Sequence, residues 1–446
     1  MTETPNYDGA YDAIVVGAGP AGSAAALTMA QRDLDVIMIE RGAYPGAKNV
    51  FGGVLFTPTI RELVDDLSEA PTERYVAEKK FSMLSEEDET AVSMKPGAWH
   101  EEPHNDSFTI LRGDFDEWFA EQAVEAGATL VTETTVLDVV RDGDDADSQI
   151  VGVETDRPDG TLRAPVVVLA EGANSLVSEG ADLKETSDAE DVAVAAKEVR
   201  KYDRDTIEER FNLHDEDGVA YHYFGEGAIP EGFGGAYIYT NKRTISIGLA
   251  YSIADAREHD QTPDEVLNEF KNHPAIAPLV RGGNLVEYSA HAIPEGGYED
   301  VPQLVHNGAV LVGDTASLVL NNGVHLEGTN MAAESGYHAG NAIADAVAEG
   351  RTDAAALSQY REDLEDSFVM ANLEHYKWFQ DFVEDESDLL FKELPRAIAE
   401  AEKEYFRIDR EPKESHAKSA KNIVLQAMGG YVGAAKRAWK LRRFLS

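Results

Sequence analysis

The chain has 446 residues, 43% hydrophobic and 27% charged. That length is too great for one ordinary core, so two or three packed units are expected, one interrupted by another. Its 83 acidic and 39 basic residues leave a formal charge of -44, a surface that repels phosphate and argues against nucleic acid as a partner. Concentrated salt relieves self-repulsion on that scale, so a halophilic, high-salt cytoplasm is the expected setting. The absence of cysteine excludes a disulfide, a thiol nucleophile and a thiolate-held iron-sulfur cluster on this chain.

No apolar run approaches the length of a membrane span, and the polar, acidic first ten residues lack the form of a secretory signal. The expectation is a cytoplasmic protein, soluble or peripheral on the inner face of the cell membrane. Residues 12–19 read as a buried strand, 20–31 as an Ala-rich helix and 35–40 as a second, parallel strand. A Gly-rich loop, 42–53, and a mixed region follow. Then come a strand at 108–111, a helix at 115–126 begun by Asp114, and strands at 129–140 and 150–155. Pro158-Asp159-Gly160 marks a turn before a strand at 166–169. The acidic stretch 142–147 is read as a solvated loop.

From 192 to 289 the pattern is strand-rich. One helix is announced by Thr262-Pro263-Asp264-Glu265, a capping box with proline at the first helical position. Segments 236–239 and 244–249 flank Asn241-Lys242 as a hairpin. The α/β pattern resumes at 309–313 and in a helix at 327–348, after which the chain reads as helical.

Gly17-Ala18-Gly19-Pro20-Ala21-Gly22 lies between the first strand and the first helix. In that position the first glycine makes the turn, the second lets backbone approach a pyrophosphate, and the third lets helix and strand pack. The helix N-terminal N–H groups face the phosphates. Glu40, followed by Arg41, ends the second strand, where a carboxylate accepts ribose hydroxyls. No metal-ligand or Ser/His/Asp constellation emerges, and His291 and His325 stand isolated in sequence, read as structural.

The cofactor follows from resemblance. Leu311-Val312-Gly313-Asp314 resembles the second FAD motif of glutathione-reductase-type flavoproteins, in which the Asp meets the ribityl chain. Glu171-Gly172-Ala173-Asn174-Ser175 resembles the Asp-Gly motif of aromatic hydroxylases, with Glu in place of Asp, a departure that puts any pyridine-nucleotide role of that motif in question. Leu111-Arg112 resembles the segment that brings an Arg to FAD in that group; the alternative is a surface cation at a helix end. These likenesses imply one non-covalently bound FAD. The implied fold is α/β: a Rossmann-type FAD-binding domain of the glutathione-reductase/aromatic-hydroxylase kind, with an inserted β-rich substrate domain and a helical C-terminal region. The expected boundaries are 1–70, 100–183 and 300–350 for the FAD domain, 71–99 and 184–299 for the insert, and 351–446 for the helices.

The loop Pro45-Gly46-Ala47-Lys48-Asn49-Val50-Phe51-Gly52-Gly53 resembles the FixC type of the electron-transfer-flavoprotein:quinone oxidoreductase family. The likeness continues through Gly234 to Lys242, His291 to Gly297, and Gly313-Asp314 to Asn321-Asn322-Gly323. It implies electron transfer from an electron-transfer flavoprotein, through this FAD, towards quinone, with a ferredoxin-like iron-sulfur protein as a further partner. Lys48, Gly52, Gly53, Asn321, Asn322 and Gly323 are the flavin-proximal candidates. Their alternatives are an exposed loop lysine, an ordinary glycine turn and a helix cap. A reductase of isoprenoid (geranylgeranyl) lipids and a non-catalytic, flavin-stabilised assembly subunit are the competing functions. Residues 417–446 carry seven basic and no acidic residues. A helical projection there groups Tyr431, Ala435, Ala438, Leu441 and Leu445 opposite Lys436, Lys440 and Arg443, the pattern of an interfacial membrane helix. A basic tail packed on the acidic body or on a partner is the alternative.

Overall fold

The computed structural model describes residues 11–48, 53–100, 107–230, 232–322 and 326–442. The chain forms two units, Met1–Arg74 with Glu102–Ala193 and His291–Lys377, and Tyr75–Glu101 with Val194–Ala290 and Trp378–Ser446.

The first unit is built on a six-stranded sheet in the order Val305–His306, Ala309–Leu311, Val166–Leu169, Ala13–Val16, Val36–Ile39, Thr129–Val131. Ladders inward from the first pair are parallel, with Ala13 opposite both Val36 and Val166. Every residue of the three central strands is buried, the continuous apolar run of a parallel sheet covered on both faces. Helix Pro20–Ala30 packs on Thr329–Ala348 through a seam of small residues. A Cβ on Gly336 would collide with the Ala21 carbonyl, and one on Gly340 would press on Thr28, so the two helices approach almost backbone to backbone.

Predicted strand 129–140 is two strands in two sheets. Thr129–Val131 closes the parallel sheet, whereas Val136–Arg141 joins Ile150–Thr155 and Thr161–Arg163 in an antiparallel one. The break has Glu133 at φ 51°. The Arg157 guanidinium holds it, donating to Thr134 Oγ1 at 2.9 Å and to the Glu133 carbonyl at 2.8 Å. The third helix is Arg112–Glu125, beginning two residues before Asp114. The long late helix is Thr329–Ala348, with Glu327 in a two-residue strand ahead of it.

The second unit carries a sheet in the order Asn284–Pro294, Val192–Lys201, Thr244–Ser252, Gly234–Thr240, Asp217–Phe224, Thr72–Leu84, with Glu89–Met94 paired to the last. The hairpin around Asn241-Lys242 forms, Thr240 opposite Ile245. One face buries Tyr221, Tyr223, Ile238 and Ile247 with Val266, Leu267 and Phe270 of helix Pro263–Asn272. The capping box is complete, with Thr262 and Glu265 satisfying each other's backbone N–H. Helices Arg204–Phe211, Ile253–Glu258 and Ala277–Val280 accompany it, where the pattern suggested one. The C-terminal part is helical, with Leu394–Phe406, Lys413–Ala427 and Gly430–Leu441.

Candidate cofactor site

The first glycine sits at φ 97°, open to glycine and strained for any other residue, and its N–H donates to the Ile39 carbonyl at 2.8 Å. A Cβ on Gly22 would run into the Gly17 carbonyl, so the turn and the first helical turn are locked together. At Gly19 a Cβ would meet nothing within 4 Å. Open space therefore lies in front of a helix, begun by Pro20 and Ala21, whose N-terminus has no side-chain cap. Uncapped N–H groups facing open space are what a pyrophosphate needs.

Glu40 is buried at the end of its strand. Its carboxylate accepts from the Ala18 N–H at 3.1 Å and the Gly42 N–H at 2.6 Å. Those bonds fix its direction and leave lone pairs for hydroxyl donors. Arg41 beside it is exposed. The fourth piece arrives from the far end of the chain: a Cβ on Gly313 would stand 2.8 Å from that of Ala21. The late Gly313-Asp314 motif thus abuts the glycine loop. Gly313 lies at φ 62° and donates its N–H to Ser335 Oγ at 2.9 Å.

Arg112 is buried at the first position of its helix, with Nε and Nη2 each 2.8 Å from the carboxylate of fully buried Asp116. It is no surface cation. A Cβ on Gly46 would stand 2.9 Å from the Arg112 carbonyl, so the loop at 42–48 runs beside it. Burial pushes the Asp314 carboxyl above its ordinary range, against the opposing charges of Arg112 and Lys184. Lys184, itself buried, stands 3.3 Å from Ser317 Oγ; desolvation lowers its ammonium against the pull of Asp300, Glu179 and Asp314. His291 is held below its ordinary range by burial and by Arg112 and Arg41. Arg41, Arg112, Lys184, His291 and Asp314 are therefore linked electrostatically.

Gly172 closes a short turn at φ 73°. Its carbonyl accepts from Ser175 Oγ at 3.0 Å and Thr315 Oγ1 at 3.3 Å, which ties this motif to the one at Asp314. Glu171 has a local structural task. It accepts from the N–H groups of Val177 at 2.7 Å and Ser178 at 2.9 Å, and the longer side chain of Glu reaches the start of Leu176–Gly180.

Of the flavin-proximal candidates, Lys48 is an exposed loop residue, and Gly53 is buried with its carbonyl accepting from the Ile110 N–H at 2.9 Å. Asn321 pairs with Leu326 in a small hairpin and donates from Nδ2 to Glu295 Oε1 at 3.3 Å; Asn322 is buried beside it. Neither caps Thr329–Ala348, whose N-cap is Gly328. Gly52, Gly323 and His325 lie outside the described residues. Lys184, Asp116 and Glu295 carry no spacing signal in the sequence. Among the described residues, no cluster of His, Cys, Asp or Glu has the makings of a metal site.

A glycine turn, an uncapped helix, a strand-end carboxylate and a distant Gly-Asp meeting in one cradle define a dinucleotide-binding flavoenzyme, and residues 12–226 match the model of the FAD-dependent oxidoreductases. Residues 379–445 match the C-terminal domain of the ETF-QO/FixC family. Protein FixC of Bradyrhizobium diazoefficiens is 42% identical over 438 residues, covering 96% of this chain and 99% of that one. The chain therefore belongs to the FixC family of FAD-dependent oxidoreductases. The probable electron transfer flavoprotein-quinone oxidoreductase YdiS of Escherichia coli is 39% identical, over 91% of this chain and 93% of its own. Among solved structures, a geranylgeranyl bacteriochlorophyll reductase-like protein from Thermoplasma acidophilum superposes with a TM-score of 0.68 at 19% identity, over 97% and 99% of the two chains. A myxobacterial chondrochloren halogenase gives 0.63 at 18%, over 84% and 82%. At such identities these two report the shared fold.

Proposed function

We propose that the chain holds one FAD in this cradle and passes electrons from an electron-transfer flavoprotein to quinone. The observation that carries the reading is the meeting of Gly313-Asp314 with the Gly17–Gly22 loop, in a chain 42% identical to a FixC protein along nearly its whole length. Helix N–H groups after Gly19 would take the pyrophosphate, Glu40 the ribose hydroxyls and Asp314 the ribityl chain. The uncapped N-terminus of Thr329–Ala348 would stabilise negative charge at the pyrimidine edge. Bound FAD supplies the electron-accepting chemistry, and the protein supplies position and field. A chain without cysteine takes any iron-sulfur centre in the pathway from a ferredoxin-like partner.

The C-terminal helices give the membrane part of this reading its form. Arg437, a quarter exposed, turns its Nε to Glu386 at 2.7 Å, and Lys440, 40% exposed, pairs at the surface with Asp385, Nζ at 3.1 Å. The outward face of Gly430–Leu441 carries Tyr431, Val432, Ala435, Lys436 and Trp439, the tyrosine 71% and the tryptophan 59% exposed. Arg442 stacks over Trp439 at 4.6 Å. Leu394–Phe406 and Lys413–Ala427 meet at a second apolar corner, with Phe406 and Ile408 exposed. His416, between Glu404 at 2.9 Å and Asp409 at 3.0 Å, pins that corner. Aromatic and aliphatic groups beside Lys436 and Arg442 suit the headgroup region of an anionic membrane. No described helix is long and apolar enough to cross one.

The test is anaerobic. Reduced protein mixed with a quinone regains its oxidised flavin spectrum, and mixed with a geranylgeranyl lipid it does not. Reoxidation by the lipid alone overturns the reading in favour of an isoprenoid reductase, and inertness to both favours an assembly subunit. Purification at working salt brings down electron-transfer-flavoprotein subunits and a ferredoxin, and the -44 charge makes the fold more stable in molar KCl than in dilute buffer.

A further inference from the structure

The segment from His291 to Glu295 leads from the neighbourhood of Arg112 to the hairpin of Asn321, both in the first unit. At one end His291 feels the charges of Arg112 and Arg41. At the other, the Glu295 backbone N–H donates to the Asp191 carbonyl at 2.7 Å, and Oε1 accepts from Asn321 Nδ2. Asn321 belongs to the hairpin that leads into the N-terminus of Thr329–Ala348. We infer that Glu295, acting through Asn321, takes up a proton when the bound flavin is reduced and releases it when the flavin is reoxidised. This rests on the flavin reading above.

The chemistry balances simply. Two electrons from the electron-transfer flavoprotein bring negative charge to the cradle; an O–H bond forms at the Glu295 carboxylate with a proton from solvent. When the electrons leave for quinone, that bond breaks and the proton returns. The carboxyl is poised for this: desolvation, partly opposed by the Asn321 amide, raises it to about 7. The charged neighbours along its own turn are Asp300, packed against Gly296, and beyond it Lys184, which draws the Asp300 carboxyl down while burial raises it. Asp191 reaches Glu295 through its backbone carbonyl. Added negative charge nearby strengthens the hold of such a group on its proton, and a neutral carboxyl in turn favours the reduced cofactor. Glu295 is thus a positioning residue for charge, coupling proton uptake to redox state.

The experiment compares FAD-loaded wild type with Glu295→Gln and Asn321→Ala. It measures the midpoint potential between pH 6 and 8, and proton uptake with an indicator dye on reduction in unbuffered solution. The wild type takes up more protons per two electrons than Glu295→Gln, by up to one, with the excess centred near pH 7; Asn321→Ala gives an intermediate count. FAD content and visible spectrum show that each variant is folded and loaded. Equal proton counts in wild type and Glu295→Gln, both loaded, overturn the inference and leave the flavin reading intact. Failure of folded wild type to bind FAD overturns the flavin reading itself.

Discussion

The two units hold their working groups in opposite ways. In the first, the cradle is mostly backbone: a turn at Gly17, uncapped N–H groups in the first turn of the helix after Pro20, and a strand-end carboxylate, Glu40, tied down by main-chain donors. In the second, the features available for contact are side chains on the outside of helices, Tyr431, Val432, Trp439 and Ile408. A backbone site depends on positions where one residue type alone fits, whereas a surface site depends on what neighbouring elements leave uncovered. The first should be brittle to single substitutions and the second tolerant of them.

Gly22→Val gives the largest effect. Its side chain has no room beside the Gly17 carbonyl, so the variant purifies poorly and without flavin, as checked by FAD per polypeptide after denaturation. Arg112→Ala comes next. It strands the Asp116 carboxylate, fully buried, at a cost of about 3–5 kcal/mol, read as a fall in the denaturant midpoint.

Glu295 gives the first unit a pH dependence of its own. Its carboxyl is raised to about 7 in the folded protein, so the native state binds the extra proton and stability falls as pH rises from the ordinary carboxylate range towards 7. Glu295→Gln flattens that fall, measured as melting temperature against pH. The smallest effect belongs to the second unit: Thr262→Ala removes one half of an exposed capping box for about 1 kcal/mol, with FAD content unchanged.

The difference between backbone and surface also explains how much could be read from the sequence. Gly17, Gly19, Gly22, Glu40 and the strands around them were legible because each answers a local requirement with fixed spacing. The capping box and the Asn241-Lys242 hairpin were legible for the same reason. Strand 129–140 was misread because both halves are genuine strands, and the interruption depends on Arg157, which reaches back from beyond the next strand. Lys184 and Glu295 were missed because their partners, Ser317 and Asn321, come from other parts of the chain. A helical projection of the tail had no means of showing that Lys440 and Arg437 pair with Asp385 and Glu386.

The central claim is that electrons held in the cradle leave for quinone; the proposed role of the exposed face of the last helix is to meet a membrane that holds it. It is tested most directly by timing flavin reoxidation in anaerobic stopped flow, in wild type and in a Tyr431→Ser/Trp439→Ser variant. The quinone is supplied either as a water-soluble short-chain form or embedded in anionic vesicles at working salt. The account predicts equal rates with the soluble quinone and a several-fold slower rate for the variant with the vesicles. Equal rates in both, from folded and fully FAD-loaded protein, would contradict it.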